Sequence, residues 1–432
     1  MLVQTAQQLM AEGRLDEAAA TWEQVLQLAP EHPQALFRLG QHRFFRKDAK
    51  SAGELLARAE KADPKNPSVA LSLAFAHRAL NDDASEMAAL VRCLAVDPYF
   101  VPALLAKGML QERIGRAREA AQTYKIVVAI APPDDQLSPE LRNALEHARR
   151  IVGDNAAALD AHLRQRLESV RAHHQGANFS RFDECKDIVI GTKKAYTQQP
   201  SLLHIPRLPA IGYYERAEFP WLATLEAATA DMRREALAVL DEGGADFRPY
   251  VSHPEGSPIN QWAELNHSPR WSTYFLWKDG VRLDRQCRKC PITAAASEAL
   301  PVIDVPQFGP TIMYSVLAPH TKIPPHSSVT NARLVVHMPL IVPEGCRFRV
   351  GNEVRPWREG QAWVFDDTIE HEAWNDSDEY RVILMIDIWN PYLTIAEREL
   401  IGVLLNGVRD YYGGERVDTI TGLPIAPNQN TA

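Results

Sequence analysis

The chain has 432 residues, 46% hydrophobic and 24% charged, with 55 acidic against 47 basic side chains for a formal charge of −8. That length calls for two or three domains, and the composition excludes a disordered, collagen-like or disulfide-built protein. The acidic balance argues against a broad nucleic-acid-binding surface, five cysteines without a basic-then-apolar leader point to the cytoplasm, and no apolar run approaches the roughly 18 residues of a membrane span.

In chain order, the first signal is a repeat. Pro30, Pro64, Pro98 and Pro132 recur every 34 residues. The same offset links Gly13, Lys47, Asn81 and Gly115, where one helix should turn into the next, and Trp22, Leu56, Leu90 and Tyr124, large residues suited to an interhelix seam. Ala18, Ala52 and Ala120, with Gly40, Ala74 and Gly108, allow close helix approach, and Glu86 breaks the first of these series. The pattern predicts four antiparallel helix pairs, each Pro following a pair and suited to the first turn of the next. On these residues, 1–135 resembles the tetratricopeptide repeat family. The resemblance implies a stacked superhelix whose concave groove holds a peptide or partner protein, with an architectural or dimerising spacer as the alternative. Residues 136–175 read as a helical cap and linker with an interruption near Gly153.

From 176 to 420 the period changes. A helix is expected over the stretch from Thr224, TLEAATADMRREALAVLDE, and strands over TIMYSVLA, ARLVVHMPLIV, CRFRV, AWVFDD and YRVILMIDIW, followed by a helix from Ile395 to Tyr411. Short strands with tight turns fit a double-stranded β-helix, a jelly roll or cupin-like domain with supporting helices and an interior able to hold a small molecule. The fold class is thus multidomain, an all-α superhelix followed by that β domain. Residues 421–432 read as a loose polar tail.

Chemistry concentrates between His320 and Arg381. His320, His326, His337 and His371 are four imidazoles within about fifty residues, enough for a metal. The usual iron triad would place a carboxylate two residues after its first His, yet Ser328 follows His326. A two-His iron site completed by water and a closed zinc site using His320 or His337 both remain open. Strand alternation puts Arg333, Val335 and His337 on one face, and Arg381, Ile383, Met385 and Asp387 on one face of a later strand. Arg381 on a mainly apolar face demands an anion, and a dicarboxylic acid, aided by the Ser315 hydroxyl, fits.

At these residues, YSVLAPHTKIPPHSSVTNARLVVHMPLIVP, GCRFRVGNEVRPWREGQAWVFDDTIEHEAWND and YRVILMIDIWNP, the domain resembles the aspartyl/asparaginyl beta-hydroxylase family of iron- and 2-oxoglutarate-dependent oxygenases, over roughly 212–400. The resemblance implies that His326 and His371 hold Fe(II) with water replacing the missing carboxylate, that Arg381 and Ser315 bind a 2-oxoglutarate carboxylate, and that His337 is a further cosubstrate contact. Val335 stands where the animal enzymes carry a second active-site Arg, which leaves Arg333, on the same strand face, as the candidate replacement or substrate contact. The implied reaction consumes 2-oxoglutarate and O2, releases succinate and CO2, and hydroxylates an unactivated carbon, with the beta carbon of a protein or peptide Asp/Asn favoured and the repeats holding the polypeptide. A hydroxylase of a free small molecule or lipid component, and a non-catalytic interaction scaffold, are the alternatives. Asp366, Asp367 and Glu370 read as turn-forming residues behind the ligands. Cys287 and Cys290 form a lone CxxC, weak evidence for metal or redox chemistry, and Trp262, Trp271 and Trp277 read as core and channel wall. No nucleic-acid partner is expected, and the sequence leaves the oligomeric state open.

Overall fold

The computed structural model describes residues 1–242 and 246–411, together with the paired strands Arg416–Val417 and Pro424–Ile425. Apart from those two residues, the tail expected over 421–432 lies outside the described residues. The chain divides into two compact units, Met1–Thr192 and Lys193–Ala432.

The first unit is all helix: α1 (Leu2–Ala11), α2 (Leu15–Leu28), α3 (Pro33–Phe45), α4 (Ala49–Ala62), α5 (Pro67–Ala79), α6 (Asp83–Val96), α7 (Val101–Arg113), α8 (Ala117–Ile130), α9 (Pro139–His173) and α10 (Ser180–Ile190). The 34-residue spacing has direct causes. Gly13, Lys47, Asn81 and Gly115 all adopt positive φ, between 56° and 76°, the left-handed residue that reverses the chain within each pair. Pro30, Pro64 and Pro98 sit in the turns between pairs, and a second series, Pro33, Pro67 and Pro102, occupies the first helical turn, where a missing N–H costs nothing. Asp48 and Asp82 cap α4 and α6 by accepting from the backbone N–H of Ser51 and Ser85. Trp22, Leu56, Leu90 and Tyr124 are all fully buried in the seam. Glu86, where the small-residue series breaks, is buried too and ion-paired with Arg113.

Gly153 does not interrupt anything. α9 runs unbroken through it because one glycine costs a helix only about 1 kcal/mol, and a Cβ added there would meet nothing within 4 Å. The expected helix at Thr224 is instead two, α11 (Leu222–Ala227) and α12 (Thr229–Asp241), broken where the Thr229 hydroxyl donates to the Glu226 carbonyl.

The second unit is built on antiparallel strands: β1 (Arg248–Pro249), β2 (Trp271–Lys278), β3 (Val281–Arg282), β4 (Ile312–Leu317), β5 (Thr321–His326), β6 (Arg333–Ile341), β7 (Cys346–Val350), β8 (Glu353–Pro356), β9 (Trp363–Phe365), β10 (His371–Asn375) and β11 (Arg381–Trp389). One sheet has the order β1-β2-β4-β11-β6-β9, with β3 beside β2; the other has β5-β10-β7-β8. Counted from β4, the eight strands alternate between the sheets as 1-8-3-6 and 2-7-4-5, the jelly-roll order. One face of the larger sheet is apolar, with Leu334, Val336, Met338, Val382, Leu384 and Ile386 buried under helices that include α11, α12 and α14 (Pro291–Glu298). α13 (Asp284–Lys289) precedes α14, and α15 (Ile395–Tyr411) closes the described helices. The opposite face carries alternate residues of the same strands and meets the smaller sheet around an interior cavity.

Two glycine substitutions should separate packing from propensity. The added methyl of Gly108→Ala meets the Tyr124 ring at 2.4–2.8 Å and should destabilise the repeat unit by about 1–3 kcal/mol, whereas Gly153→Ala should stabilise it by up to about 1 kcal/mol. Urea unfolding of the full chain, followed by helical circular dichroism, reads both.

Candidate active site

Two strands of the smaller sheet supply a pair of histidines. β5 ends at His326, β10 begins at His371, and the register sets these residues directly opposite each other. Their rings therefore emerge on one face, 4.0 Å apart between centroids. His326 Nδ1 lies 2.8 Å from the Pro324 carbonyl, and His371 Nδ1 lies 3.0 Å from the Ile369 carbonyl. A carbonyl only accepts, so each Nδ1 carries the hydrogen and each Nε2 keeps its lone pair. Desolvation lowers both rings' affinity for a second proton: His326 is held well below its usual value, also by His371, and His371 is pushed down to about 4. Trp262 packs edge-on against His326, and Phe348 and Phe365 flank His371. Neutral imidazoles fixed through Nδ1 are in the form that binds a metal through Nε2. Among the described residues no group of three or more His, Cys, Asp or Glu is arranged to hold an ion. An ion here would thus have two protein ligands, leaving its other positions to water or a ligand, which fits an open, reactive site better than a closed structural zinc.

The larger sheet faces them with hydrogen-bond donors. On β11, Arg381, Ile383, Met385 and Asp387 alternate toward the cavity, with Ser315 opposite Ile383 and His337 opposite Met385. Arg381 is 1% exposed, and its Nε and Nη1 have no hydrogen-bond partner. Its guanidinium lies 4.8 Å from the Trp357 ring, and burial pushes its pKa down to about 10. The Trp357 N–H donates to His337 Nδ1 at 3.4 Å, which leaves the ring hydrogen on Nε2, itself buried without a partner. The Trp271 N–H donates to Ser315 Oγ at 3.1 Å, so the serine hydrogen remains available. A buried guanidinium with two adjacent unused donors is a receptor for a carboxylate, since leaving such a charge unpaired is costly. His326, His371, Ser315, His337 and Arg381 all line one cavity of about 560 Å³.

Arg333 reaches the same cavity, but its charge is committed. Nη1 donates to Asp387 at 2.9 Å, and Nη2 donates to Ser328 Oγ at 2.7 Å and to Asp367 at 3.2 Å. Asp366 accepts from the Thr368 N–H and hydroxyl, the turn-forming part read from sequence, and Glu370 pairs with Arg349. His320 is exposed and paired with Asp378, so it stands outside the site. Cys287 and Cys290 are buried free thiols, and Cys287 donates to the Leu276 carbonyl. Trp271 lines the cavity, Trp262 packs against His326, and Trp277 belongs to the core on the sheet's other face. Sequence reasoning missed Trp357, the platform under Arg381, and His253, a loop residue that lines the cavity with its Nε2 buried and unpartnered. Neither has a periodic signal, because neither lies in a regular element that points it inward.

Comparison with known proteins follows this geometry. A family model described as aspartyl/asparaginyl beta-hydroxylase matches residues 226–391, and one described as tetratricopeptide repeat matches 9–74. The chain is similar to the aspartyl/asparaginyl beta-hydroxylase of Homo sapiens, with 26% identity over 91% of this chain and 53% of that one. It is also similar to ornithine lipid ester-linked acyl 2-hydroxylase of Rhizobium tropici, 35% identical over 41% of this chain and 60% of that one. Aspartate beta-hydroxylase domain-containing protein 2 of Homo sapiens is 33% identical over 47% of this chain and 54% of that one. The chain spans about half the length of the curated relatives it matches.

The two buried arginines should respond oppositely to removal. Arg333→Met strands two buried carboxylates and should cost about 3–5 kcal/mol, whereas Arg381→Met removes an uncompensated charge and should leave stability equal to or above wild type. Denaturant unfolding of the two variants provides the comparison.

Proposed function

Because residues 226–391 form a domain of the aspartyl/asparaginyl beta-hydroxylase family, preceded by tetratricopeptide repeats, we propose that this protein is an Fe(II)- and 2-oxoglutarate-dependent dioxygenase. The observation that carries the reading is the pairing, in one cavity, of two neutral imidazoles with free Nε2 lone pairs and a buried guanidinium that has no carboxylate partner. His326 and His371 would hold Fe(II), and Arg381, Ser315 and His337 would hold a carboxylate of 2-oxoglutarate. Bound there, iron and 2-oxoglutarate would supply, with O2, oxidative decarboxylation to succinate and CO2 and the oxidising power that hydroxylates an unactivated carbon.

The protein's own residues provide placement. The Pro324 and Ile369 carbonyls fix both imidazole orientations, so neither ring rotates to accept an ion. Trp357 holds both the Arg381 guanidinium and the His337 ring, which sets the direction of their donors. Trp262, Phe348 and Phe365 pack around the histidines and keep bulk water away. No general base is required of the chain.

For the substrate, the favoured reading is the beta carbon of an Asp, Asn or related residue in a protein or peptide held by the repeats. It is supported by the match to the human beta-hydroxylase, which extends over 91% of this chain and so includes the repeats. Hydroxylation of a lipid component is the second reading, supported by higher identity to the Rhizobium tropici lipid hydroxylase over 41% of this chain. A non-catalytic scaffold would have no use for three buried donors without acceptors. Five cysteines without a disulfide accord with a reducing compartment, and the cytoplasm is the proposed location.

Anaerobic Fe(II) and 2-oxoglutarate binding, followed by exposure to O2 and candidate peptides, tests the reading. Wild type should bind both and form succinate, and His326→Ala and His371→Ala should each lose tight iron binding and succinate formation; retention of both by both variants sinks the assignment. Arg381→Leu should weaken 2-oxoglutarate binding about 100-fold or more, the scale for truncating one partner of a buried charge pair.

A further inference from the structure

The cavity has two electrostatic poles. Arg381 marks the first, with no carboxylate partner among the described residues. Asp387 marks the second, six residues along the same strand face and so roughly 20 Å away at about 3.3 Å per residue. There a single guanidinium, Arg333, serves two carboxylates, Asp387 and Asp367, and all three are at least nine-tenths buried. Fully ionised, this end carries one more negative than positive charge. Val335 lies directly across from Asp387, on the cavity face between Arg333 and His337, so no second cation on that strand offsets the excess. One acceptor and one donor of the cluster are also unpaired: Asp367 Oδ1 and Arg333 Nε are both buried without a hydrogen-bond partner, and both residues line the cavity.

The other ionisable groups of this end do not cancel the imbalance. At the rim, Arg248 and Lys278 are exposed to solvent, which screens them from the buried cluster, while Asp246 pairs with Arg285 and Lys289. Desolvation raises both Asp367 and Asp387, and Arg333 pulls them down only in part. A second cation would relieve this; a carboxylate would meet two of its own kind. The surrounding field points the same way, because residues 193–432 carry 30 acidic against 23 basic side chains, while 1–192 carry 25 against 24.

We propose that this pole binds a cationic nitrogen of the substrate, an ammonium or guanidinium, with Asp367 as its direct acceptor. The inference rests on the oxygenase reading of the same cavity and narrows its substrate class: a positively charged side chain or head group lies close to the carbon that is hydroxylated, which sets an ionised Asp side chain aside as the target. Asp387 acts through Arg333 as a positioning residue, and Val335 is a specificity-determining residue because it leaves the negative charge uncancelled.

The test uses the full chain, loaded anaerobically with Fe(II) and 2-oxoglutarate, and three probes of the form acetyl-Gly-X-Gly-amide with X as Lys, Gln or Glu. Binding is followed by tryptophan fluorescence, with Trp271 in the cavity wall. Wild type should bind the Lys probe at least about tenfold more tightly than the Glu probe, given the cost of like-charge juxtaposition. Asp367→Asn should bring that ratio toward one, and Val335→Arg should reverse it. A wild-type preference for Glu, equal affinities, binding of none of the probes, or an unchanged ratio in Asp367→Asn overturns the inference. Should Asp367→Asn fail to fold, Val335→Arg decides alone, and an unreversed ratio there overturns it. Binding of Fe(II) and 2-oxoglutarate by wild type without any probe is measured in parallel; its absence counts against the oxygenase reading, whereas the probe ratios count only against the cationic substrate.

Discussion

The register between Thr321–His326 and His371–Asn375 is the constraint on which the site depends. Because His326 and His371 are direct partners across an antiparallel pair, their side chains share one face and one depth. A slip of one residue would turn one imidazole out of the cavity and abolish the pair. The register is held from both sides: β10 pairs along its whole length with β7, from His371–Val350 to Asn375–Cys346. At its far end the Asn375 side chain donates to the Leu317, Ala318 and Glu379 carbonyls, tying the start of the hairpin to the larger sheet.

The facing sheet obeys the same period of two with opposite chemistry on its faces. Even-numbered residues of β6 and β11, such as Leu334, Val336, Val382 and Leu384, pack under the helices; the odd-numbered ones carry Arg333, His337, Arg381 and Asp387 into the cavity. The apolar face supplies the stability that lets the other face hold unsatisfied groups. Arg381 with two idle donors and the His337 Nε2–H are costs to folding that a bound anion repays. Arg333, by contrast, commits both Nη groups to Asp387, Ser328 and Asp367 and leaves only its Nε unpaired. Two arginines on adjacent strands thus differ in kind: one is a receptor, the other a structural hub whose excess negative charge gives the cavity its second pole.

The sequence made much of this legible where a pattern had to be periodic. Alternation along RLVVHMPLI and RVILMIDIW put His337 and Arg381 on the faces where they lie, and the 34-residue offset located the left-handed turn at Gly13, Lys47, Asn81 and Gly115 before any reason for it was visible. β5 was not legible, because TKIPPH contains two prolines; they are tolerated because β5 is the edge strand of its sheet, with no ladder on its outer side. β10 has only five residues and mixes charge with aromatics, so its period is too short to register. The Arg333 hub joins residues 34 and 54 positions apart, and only the closed fold brings them together. Arg333 therefore read only as a candidate substrate contact, and its pairing with Asp387 and Asp367 was not legible.

The central claim is that two histidines alone anchor a metal opposite a receptor for a carboxylate. X-ray absorption at the iron edge of the anaerobic Fe(II)- and 2-oxoglutarate-loaded chain tests it most directly. The account predicts two imidazole nitrogens in the first coordination shell, one fewer in His326→Ala, with all remaining ligands oxygen. A shell without imidazole, or one unchanged in His326→Ala, would contradict it.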